Sequence, residues 1–401
     1  MTSPSRKLRK VIPITPVASE PSLQGESVAS LYEAQKKIYP RSISGVFARW
    51  RWVMVVITQL VFYGLPWLEW GQRQMVLFDL GARRFYIFGL VLYPQDFIYL
   101  TALLIISALS LFLFTAVAGR LWCGFACPQT VYTEIFMWIE HKIEGDRSAR
   151  VRLDSSPWGF EKAWKKTVKQ SLWVTFSLWT GFTFVGYFVP IRQLGLELLA
   201  FHGGWQLFWV LFYGFATYGN AGFLREQVCK YMCPYARFQS AMFDKDTLIV
   251  TYDEARGEQR GPRIKTVDYK AKGLGDCIDC TWCVQVCPVG IDIRDGLQYE
   301  CIGCGLCVDA CNSVMDKMNY PRGLIKFSTQ NGVAKGWKQS QILRRVMRPR
   351  VLIYSAVLIT LCVVMLGSLI SRTPLKVDVE RDRAALSRLV AGGRLVLIFR
   401  L

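Results

Sequence analysis

Eight cysteines recur at regular intervals in the second half of the 401-residue chain. CIDCTWCVQVCP, the first cysteine run, holds Cys277, Cys280, Cys283 and Cys287, and CIGCGLCVDAC, the second, holds Cys301, Cys304, Cys307 and Cys311. Each run follows C-x2-C-x2-C-x3-C, a spacing that binds [4Fe–4S] clusters through cysteine thiolates. The chemistry that these residues predict is one-electron transfer.

The order of the two runs predicts which thiols share a cluster. In two-cluster ferredoxins the fourth cysteine of each run binds the other cluster. We therefore expect one cluster on Cys277, Cys280, Cys283 and Cys311, and the other on Cys301, Cys304, Cys307 and Cys287. Gly290, Gly303 and Gly305 allow the positive-φ backbone that a loop wrapped around a cluster requires. Two zinc knuckles are the alternative, but zinc sites use C-x2-C pairs with longer spacers.

Four further cysteines form a second pattern, C-x3-C-P, which occurs twice. RLWCGFACP holds Cys123 and Cys127, and EQVCKYMCP holds Cys229 and Cys233. The spacing predicts both thiols of a pair on one helical face, and the following proline disfavours helix at the preceding cysteine. The repeat predicts that four thiolates converge, and soft thiolates favour Cu(I), zinc or iron–sulfur clusters. The alternative is that these thiols pack as small apolar groups, as we expect for Cys362.

The elements that position these cysteines are predicted to be membrane helices. Five apolar runs contain no Lys, Arg, Asp or Glu, at residues 53–68, 97–118, 171–190, 205–223 and 351–370. Each approaches or reaches the roughly 17–25 residues that a transmembrane helix needs. The predicted fold is a polytopic α-helical membrane protein of about five transmembrane helices, with an inserted α+β dicluster ferredoxin-like domain. Two helices followed by C-x3-C-P occur twice, which indicates two related halves.

The basic residues orient these helices. Lys and Arg number nine in residues 1–52, three in 69–96, nine in 119–170, one in 191–204 and twenty in 224–350. Because basic loops stay on the cytoplasmic side, the N-terminus and the cysteine runs are predicted to face the cytoplasm and the C-terminus the periplasm. The seven basic residues in 371–401 are the exception. Since the net charge of +19 is spread over three segments, we do not expect nucleic-acid binding.

These observations divide the chain into five parts. We predict a disordered basic cytoplasmic tail (1–50), a four-helix membrane region (51–223) with the second C-x3-C-P at 229–234, a cytoplasmic ferredoxin-type insert (224–350) with its cluster core at 270–320, a fifth helix (351–370) and a periplasmic tail (371–401). The insert faces a reducing compartment, where clustered cysteines bind metal more often than they form disulfides. His141 and His202 are the two histidines, too few for a haem or copper site built from several imidazoles.

Longer stretches around the cysteines are distinctive as a set. They include RRFYIFGLVLYPQDF, GRLWCGFACPQTVYTEIFMWIE, NAGFLREQVCKYMCPYARFQSAMFDKDTL and GDCIDCTWCVQVCPVGIDIRDGLQYECIGCGLCVDAC. From about residue 40 to 383 the chain resembles the cytochrome c oxidase accessory proteins of the CcoG/FixG/RdxA type. The resemblance implies a bacterial inner-membrane oxidoreductase that reduces Cu(II) to Cu(I) for assembly of cbb-type oxidases. It also implies that Cys123, Cys127, Cys229 and Cys233 are candidate copper ligands.

The partners expected from the resemblance are the lipid bilayer, an unknown cytoplasmic electron donor, and copper chaperones or oxidase assembly factors. Two other functions stay open: a quinol-linked electron carrier like the membrane ferredoxins of periplasmic nitrate reductase, and a non-catalytic assembly scaffold. Family members continue after the last helix into a periplasmic immunoglobulin-like domain of about 100 residues. Only 31 residues follow Ile370 here, so we expect a truncated or frameshifted tail that is not a folded domain.

Overall fold

The computed structural model describes residues 37–200, 202–265, 269–337 and 339–371, together with four short strands after residue 379. The predicted disordered tail falls mostly on residues 1–36, and the predicted periplasmic tail falls mostly on residues 372–401. Both therefore lie largely outside the described residues.

Helices make up most of the described chain. The α-helices are α1 Val46–Gly64, α2 Phe97–Ala118, α3 Leu121–Phe125, α4 Pro128–Glu144, α5 Arg147–Ser155, α6 Phe160–Val185, α7 Ile191–Leu199, α8 Gly204–Thr217, α9 Arg225–Gln227, α10 Pro234–Met242, α11 Glu254–Gly257, α12 Trp282–Gln285, α13 Leu306–Met318, α14 Gln330–Ala334, α15 Gln339–Arg344 and α16 Pro349–Ile370. Two π-helical segments cover Tyr218–Leu224 and Val228–Met232, and 3₁₀ turns cover Leu65–Trp67, Pro94–Asp96 and Ile293–Asp295.

The strands are short and pair antiparallel. They are β1 Glu69–Trp70, β2 Arg73–Gln74, β3 Val76–Asp79, β4 Arg84–Ile87, β5 Leu90–Leu92, β6 Ile249–Tyr252, β7 Ile325–Ser328, β8 Glu380–Arg381, β9 Arg388–Val390, β10 Arg394–Val396 and β11 Phe399–Arg400. β3, β4 and β5 form one sheet, and the pairs are β1 with β2, β6 with β7, β9 with β10, and β8 with β11.

Three helical stretches of the described chain are long and apolar enough to cross a membrane. They are Val46–Trp67, Pro94–Ala118 and Pro349–Ile370, which coincide with the first, second and fifth predicted spans. The third and fourth predicted spans are also helical, in α6 and α8, but do not meet this criterion. α8 continues directly into the π-helical segment Tyr218–Leu224, so the helical stretch from Gly204 to Leu224 extends about 30 Å, close to the thickness of the hydrocarbon core. The total of about five spans therefore stays a prediction.

α6 and α8 approach each other closely at two glycines. A Cβ added to Gly181 would lie 2.3 Å from the Val210 carbonyl oxygen and 2.8 Å from the Gly214 nitrogen. The two backbones are therefore nearly in contact, as in membrane helix pairs that meet at small residues.

We expect Gly181→Ala to lower the free energy of unfolding by about 1–3 kcal/mol, because the added methyl group must push the two helices apart. Thermal unfolding of the purified protein in detergent would measure the loss. The matched control is Gly367→Ala in α16, where an added Cβ meets nothing within 4 Å. Equal melting temperatures for the two variants would contradict the close approach.

The segment that carries the cysteine runs has its own small core. β6 precedes the first run and β7 follows the second, and their pairing brings the two ends of the segment together. Val250 of β6, Ile325 of β7 and Met315 of α13 are buried in one cluster with Cys277 and Cys283. In this α+β arrangement β6, β7 and α13 pack together with cysteines of the first run.

Residues 38–45, here called the N-terminal strap, lie against the cysteine-run segment. The Arg41 amide donates to the Gln285 carbonyl at 2.8 Å, and the Arg41 guanidinium lies 4.0 Å from the centre of the Trp282 ring. In the first turn of α1, the Ala48 amide donates to the Asp309 carboxylate at 2.9 Å. The strap and α1 are thus tied to α12 and α13.

The strap also binds α5 and the turn before it. The Tyr39 hydroxyl donates to Asp154 at 2.7 Å, and the Ser42 amide donates to Asp146 at 3.0 Å. The prediction that disorder extends to residue 50 is therefore wrong for its last part, since α1 begins at Val46 and the strap is ordered. The bonds that order it come from carboxylates more than 100 positions away, which local composition does not reveal.

Candidate iron–sulfur and thiol site

The thiols of the two cysteine runs fall into two groups in space. Cys311 lies within electrostatic range of Cys277, Cys280 and Cys283. In the second group, Cys287, Cys301 and Cys304 lie near one another, and Cys307 lies near all three. The structure thus brings together the same sets that the spacing predicts, with the fourth cysteine of each run in the other group. Their role as cluster ligands stays a prediction.

Helix starts and left-handed residues position these thiols. Gly290, Gly303 and Gly305 have φ values of 73°, 67° and 74°, which confirms the predicted positive-φ backbone. Cys307 and Cys311 are one turn apart on the same face of α13 yet belong to different groups, so the two groups lie one after the other along this face of the helix. Cys307 is also near Cys283, so the two groups adjoin.

The second group surrounds a small apolar cavity. Val250, Val289, Ile291, Ile293 and Ile302 line it together with Cys287, Cys301, Cys304 and Cys307. Backbone amides donate to the sulfurs: those of Val289, Gly290 and Ile291 to Cys287, and that of Gly303 to Cys301. Such donors stabilise thiolates bound to iron. The residues present therefore fit an iron–sulfur cluster.

Burial governs the protonation of these thiols. It raises the pKa of Cys287 to about 11 and the pKa of Cys301 and Cys311 to about 12. At neutral pH the thiols therefore carry their protons until a metal displaces them. Among the described residues, no three or more His, Cys, Asp or Glu side chains lie closely enough around one point to hold a single metal ion.

Buried cations accompany both groups, a feature that the sequence did not reveal. Arg294 lies near Cys283 and pairs with Asp279 at 2.5 Å and Asp292 at 2.6 Å. Arg120, 5% exposed, lies near Cys301. The Arg120 guanidinium offsets part of the negative charge that four thiolates would carry, which favours the reduced form of a bound cluster, whereas the charge of Arg294 is neutralised by its two carboxylate partners.

Arg51 is a third such cation, 2% exposed and near Cys304. It pairs with Glu134 of α4 at 2.8 Å. It therefore links α1, α4 and the second group.

The C-x3-C-P pairs are not single helical faces, and that prediction is wrong. Cys123 lies in α3, but Cys127 is extended (φ −61°, ψ 129°) and precedes Pro128, which begins α4. Cys229 lies in the π-helix Val228–Met232, and Cys233 is extended before α10. Each proline begins a new helix and excludes helical geometry at the cysteine before it, which confirms that part of the prediction.

The two pairs nevertheless meet. Cys229 is within electrostatic range of Cys123, Cys127 and Cys233, and Cys123 is within range of Cys127 and Cys233. The Cys123 thiol donates to the Gln239 side-chain oxygen at 3.4 Å. Burial raises the pKa of Cys123 to about 11 and that of Cys229 to about 12. We call these four thiols the thiol quartet; their role as metal ligands stays a prediction.

The thiol quartet adjoins the second cysteine group. Cys123 and Cys229 pack against the apolar cluster that contains Cys304 and Ile302. A Cβ added to Gly124 would lie 2.9 Å from the Cys304 Cα, so the α3 backbone touches that of the second run.

Arg120 stabilises this contact through hydrogen bonds to two other segments. Its guanidinium donates to the carbonyl oxygens of Tyr299, just before the second run, and Ala236, in α10. The same cation lies near Cys123, Cys229 and Cys301, and hence between the quartet and the second group. The arrangement gives an electron a short route between the two sets of thiols.

Comparison with known proteins identifies the family. The family described as "4Fe-4S dicluster domain" matches residues 224–330, and the one described as "4Fe-4S binding domain" matches residues 100–145. The chain is 39% identical over 385 residues to nitrogen fixation protein FixG of Rhizobium meliloti, covering 88% of this chain and 74% of FixG. It is 42% identical over 353 residues to protein RdxA of Cereibacter sphaeroides, covering 85% and 74%.

More distant similarity extends to other ferredoxins. The chain is 25% identical over 227 residues to ferredoxin-type protein NapH of Haemophilus influenzae, covering 52% of this chain and 66% of NapH. No solved structure matches. With its apolar helices and its cysteine runs, the chain belongs to the CcoG/FixG/RdxA family of ferredoxin-type proteins and is a membrane iron–sulfur protein of electron transfer.

Proposed function

We propose that the protein passes electrons from two [4Fe–4S] clusters to Cu(II) at the thiol quartet and retains the resulting Cu(I) for assembly of a cbb-type oxidase. The observation that carries the proposal is the packing of Cys123 and Cys229 of the quartet against the second cysteine group. A purely structural role for the quartet does not explain why two separate C-x3-C-P turns converge beside predicted cluster ligands.

The chain's own residues have separate tasks in this proposal. The clusters, when bound by the two cysteine groups, supply electrons one at a time. Each electron converts one Cu(II) to Cu(I), and soft thiolates retain Cu(I) better than hard oxygen ligands do. Binding releases the protons that burial keeps on these thiols.

The proposed setting is the bacterial inner membrane. The N-terminus and the cysteine runs face the cytoplasm, where an electron donor reaches them, and the C-terminus faces the periplasm. The support is the distribution of basic residues together with the three apolar helices. Copper chaperones or oxidase assembly factors would then receive the Cu(I).

The test is to reduce the anaerobically purified protein with dithionite, remove the dithionite, and add Cu(II) while recording the cluster absorbance. We expect prompt reoxidation of the clusters, reduction of about two Cu(II) per chain, and Cu(I) retained by the protein. Restoration of the spectrum by fresh dithionite would show that the clusters survive the reaction.

Zn(II) is the matched control ion, since it binds thiolates but is not reduced. The Cys362→Ser variant is the control for the loss of a thiol outside both sites. Clusters that stay reduced in excess Cu(II) would overturn the proposal.

A further inference from the structure

The buried charges beside the two cysteine groups are unequal. The Arg120 guanidinium, near Cys301 of the second group, donates to the carbonyl oxygens of Tyr299 and Ala236, and among the described residues no carboxylate pairs with it. The side chain is buried, so water screens its charge little. The second group therefore has one full positive charge beside it.

The other charged groups beside the second group add little to this charge. Arg51, near Cys304, pairs with Glu134 at 2.8 Å, and the two charges cancel. Glu300, at the start of the second run, is partly exposed and accepts a hydrogen bond from the Tyr299 hydroxyl, so water screens its carboxylate. The net charge beside the second group is thus close to +1.

The first group has a guanidinium with two carboxylates. Arg294 lies near Cys283 and pairs with Asp279 at 2.5 Å and with Asp292 at 2.6 Å. One positive and two negative charges give a net charge of −1 at this place.

The remaining charges near the first group do not reverse this difference. Asp276, next to Cys277, pairs with Arg256 at 2.5 Å and adds no net charge. Arg263 donates to the Cys277 carbonyl oxygen at 3.5 Å and is partly exposed. Even if the whole charge of Arg263 is counted, the total beside the first group is zero, below that of the second.

Hydrogen bonds to the sulfurs favour the second group as well. Of the fourth cysteines of the two runs, Cys287 accepts from three backbone amides, whereas Cys311 accepts from one, that of Ile325. Solvent exposure does not separate the groups, since Cys277 of the first and Cys304 of the second are each 8% exposed. Net charge and hydrogen bonds to sulfur are two of the factors that set the potential of a bound cluster.

We infer that a cluster held by the second group has a higher reduction potential than one held by the first, and that Arg120 sets this order. One electron then passes from the first group to the second, which oxidises the first cluster and reduces the second. Cys123 and Cys229 of the thiol quartet pack against the second group, so the electron collects beside the quartet. The inference rests on the proposed function for the binding of both clusters.

The test is an anaerobic redox titration of the purified, cluster-loaded protein, followed by electron paramagnetic resonance. The wild type should show two midpoint potentials. Cys280→Ser, which keeps the second cluster, should show the higher one, and Cys304→Ser, which keeps the first cluster, the lower one. Equal potentials in the two variants, or the higher potential in Cys304→Ser, would overturn the inference. Both variants keep Arg120, so they measure the order without disturbing its contacts.

The role of Arg120 is tested by charge. In Arg120→Gln the equilibrium constant for reduction of the second cluster should fall about tenfold, which for a one-electron couple is about 59 mV, with the lower potential unchanged. Arg120→Lys keeps the charge and should retain most of the wild-type value. Arg322→Gln is the matched control, since Arg322 is exposed and pairs with Asp316. A loss of potential in Arg120→Lys as large as in Arg120→Gln would show that contacts, and not charge, set the order.

The titration contains no copper, so its outcome is separate from that of the Cu(II) experiment. A reversed order of potentials would leave the reduction of Cu(II) by the protein standing. Clusters that stay reduced in excess Cu(II) would overturn the proposed function and leave the measured order standing.

Discussion

Replacing Cys311 with serine is expected to lower the iron content from about eight to about four per chain. The serine hydroxyl keeps its proton and is a hard, poor ligand for iron. Cys311 lies with Cys277, Cys280 and Cys283, so the substitution should empty that group and leave the second intact. Iron and sulfide analysis of the anaerobically purified variant would measure the effect.

Double variants show which cluster is lost. Adding Cys280→Ser to Cys311→Ser should leave the iron content at about four per chain, because both substitutions affect one cluster. Adding Cys304→Ser to Cys311→Ser should remove nearly all the iron. The reverse pattern would mean that each run holds its own cluster, and Cys362→Ser controls for unspecific loss.

The second large effect is expected from Cys127→Ser combined with Cys233→Ser. This variant should keep both clusters but lose Cu(I) retention, falling from stoichiometric to background binding, because half of the thiol quartet is gone. These two cysteines precede helices in extended conformation and, unlike Cys123 and Cys229, do not pack in the apolar cluster of the second group. Their replacement should therefore disturb packing least.

Copper and iron analysis after incubation with Cu(I) under anaerobic conditions would measure both properties in one sample. Cys362→Ser again serves as the matched control, because it removes one thiol within α16, away from the quartet. Normal copper retention in the double variant would place the copper site elsewhere and would leave the cluster assignments untouched.

The helix positions predicted from the sequence were correct where charged residues lie at both ends of an apolar run. α2 covers the predicted 97–118, and α16 begins two residues before the predicted 351. α6 begins at Phe160, eleven residues before its apolar run, and Lys166 and Lys169 in this first part of the helix pair with the buried Glu144. Lys169, counted as a cytoplasmic surface charge, is 4% exposed and pairs with Glu144 at 2.8 Å. A charge count does not distinguish such a pair from a solvated residue.

The site was predictable where local spacing determines it. C-x2-C-x2-C forms a loop whatever surrounds it, so the grouping of the eight thiols followed from their order. Arg120, Arg51 and the strap reach the site through long-range contacts, which have no local signature. The prediction that Cys123 and Cys127 share one helical face failed because Pro128 begins a new helix. Cys123 lies in α3, whereas Cys127 is extended just before α4.

The strap and the first turn of α1 limit how the segment that carries the cysteine runs can move. Arg41 and Ala48 bond to it on one side, while Tyr39 and Ser42 bond to α5 and the turn before it on the other. A segment bonded to its neighbours at several points is not expected to move between an electron donor and an electron acceptor. The donor and the acceptor are therefore expected to be small mobile carriers that diffuse to this segment.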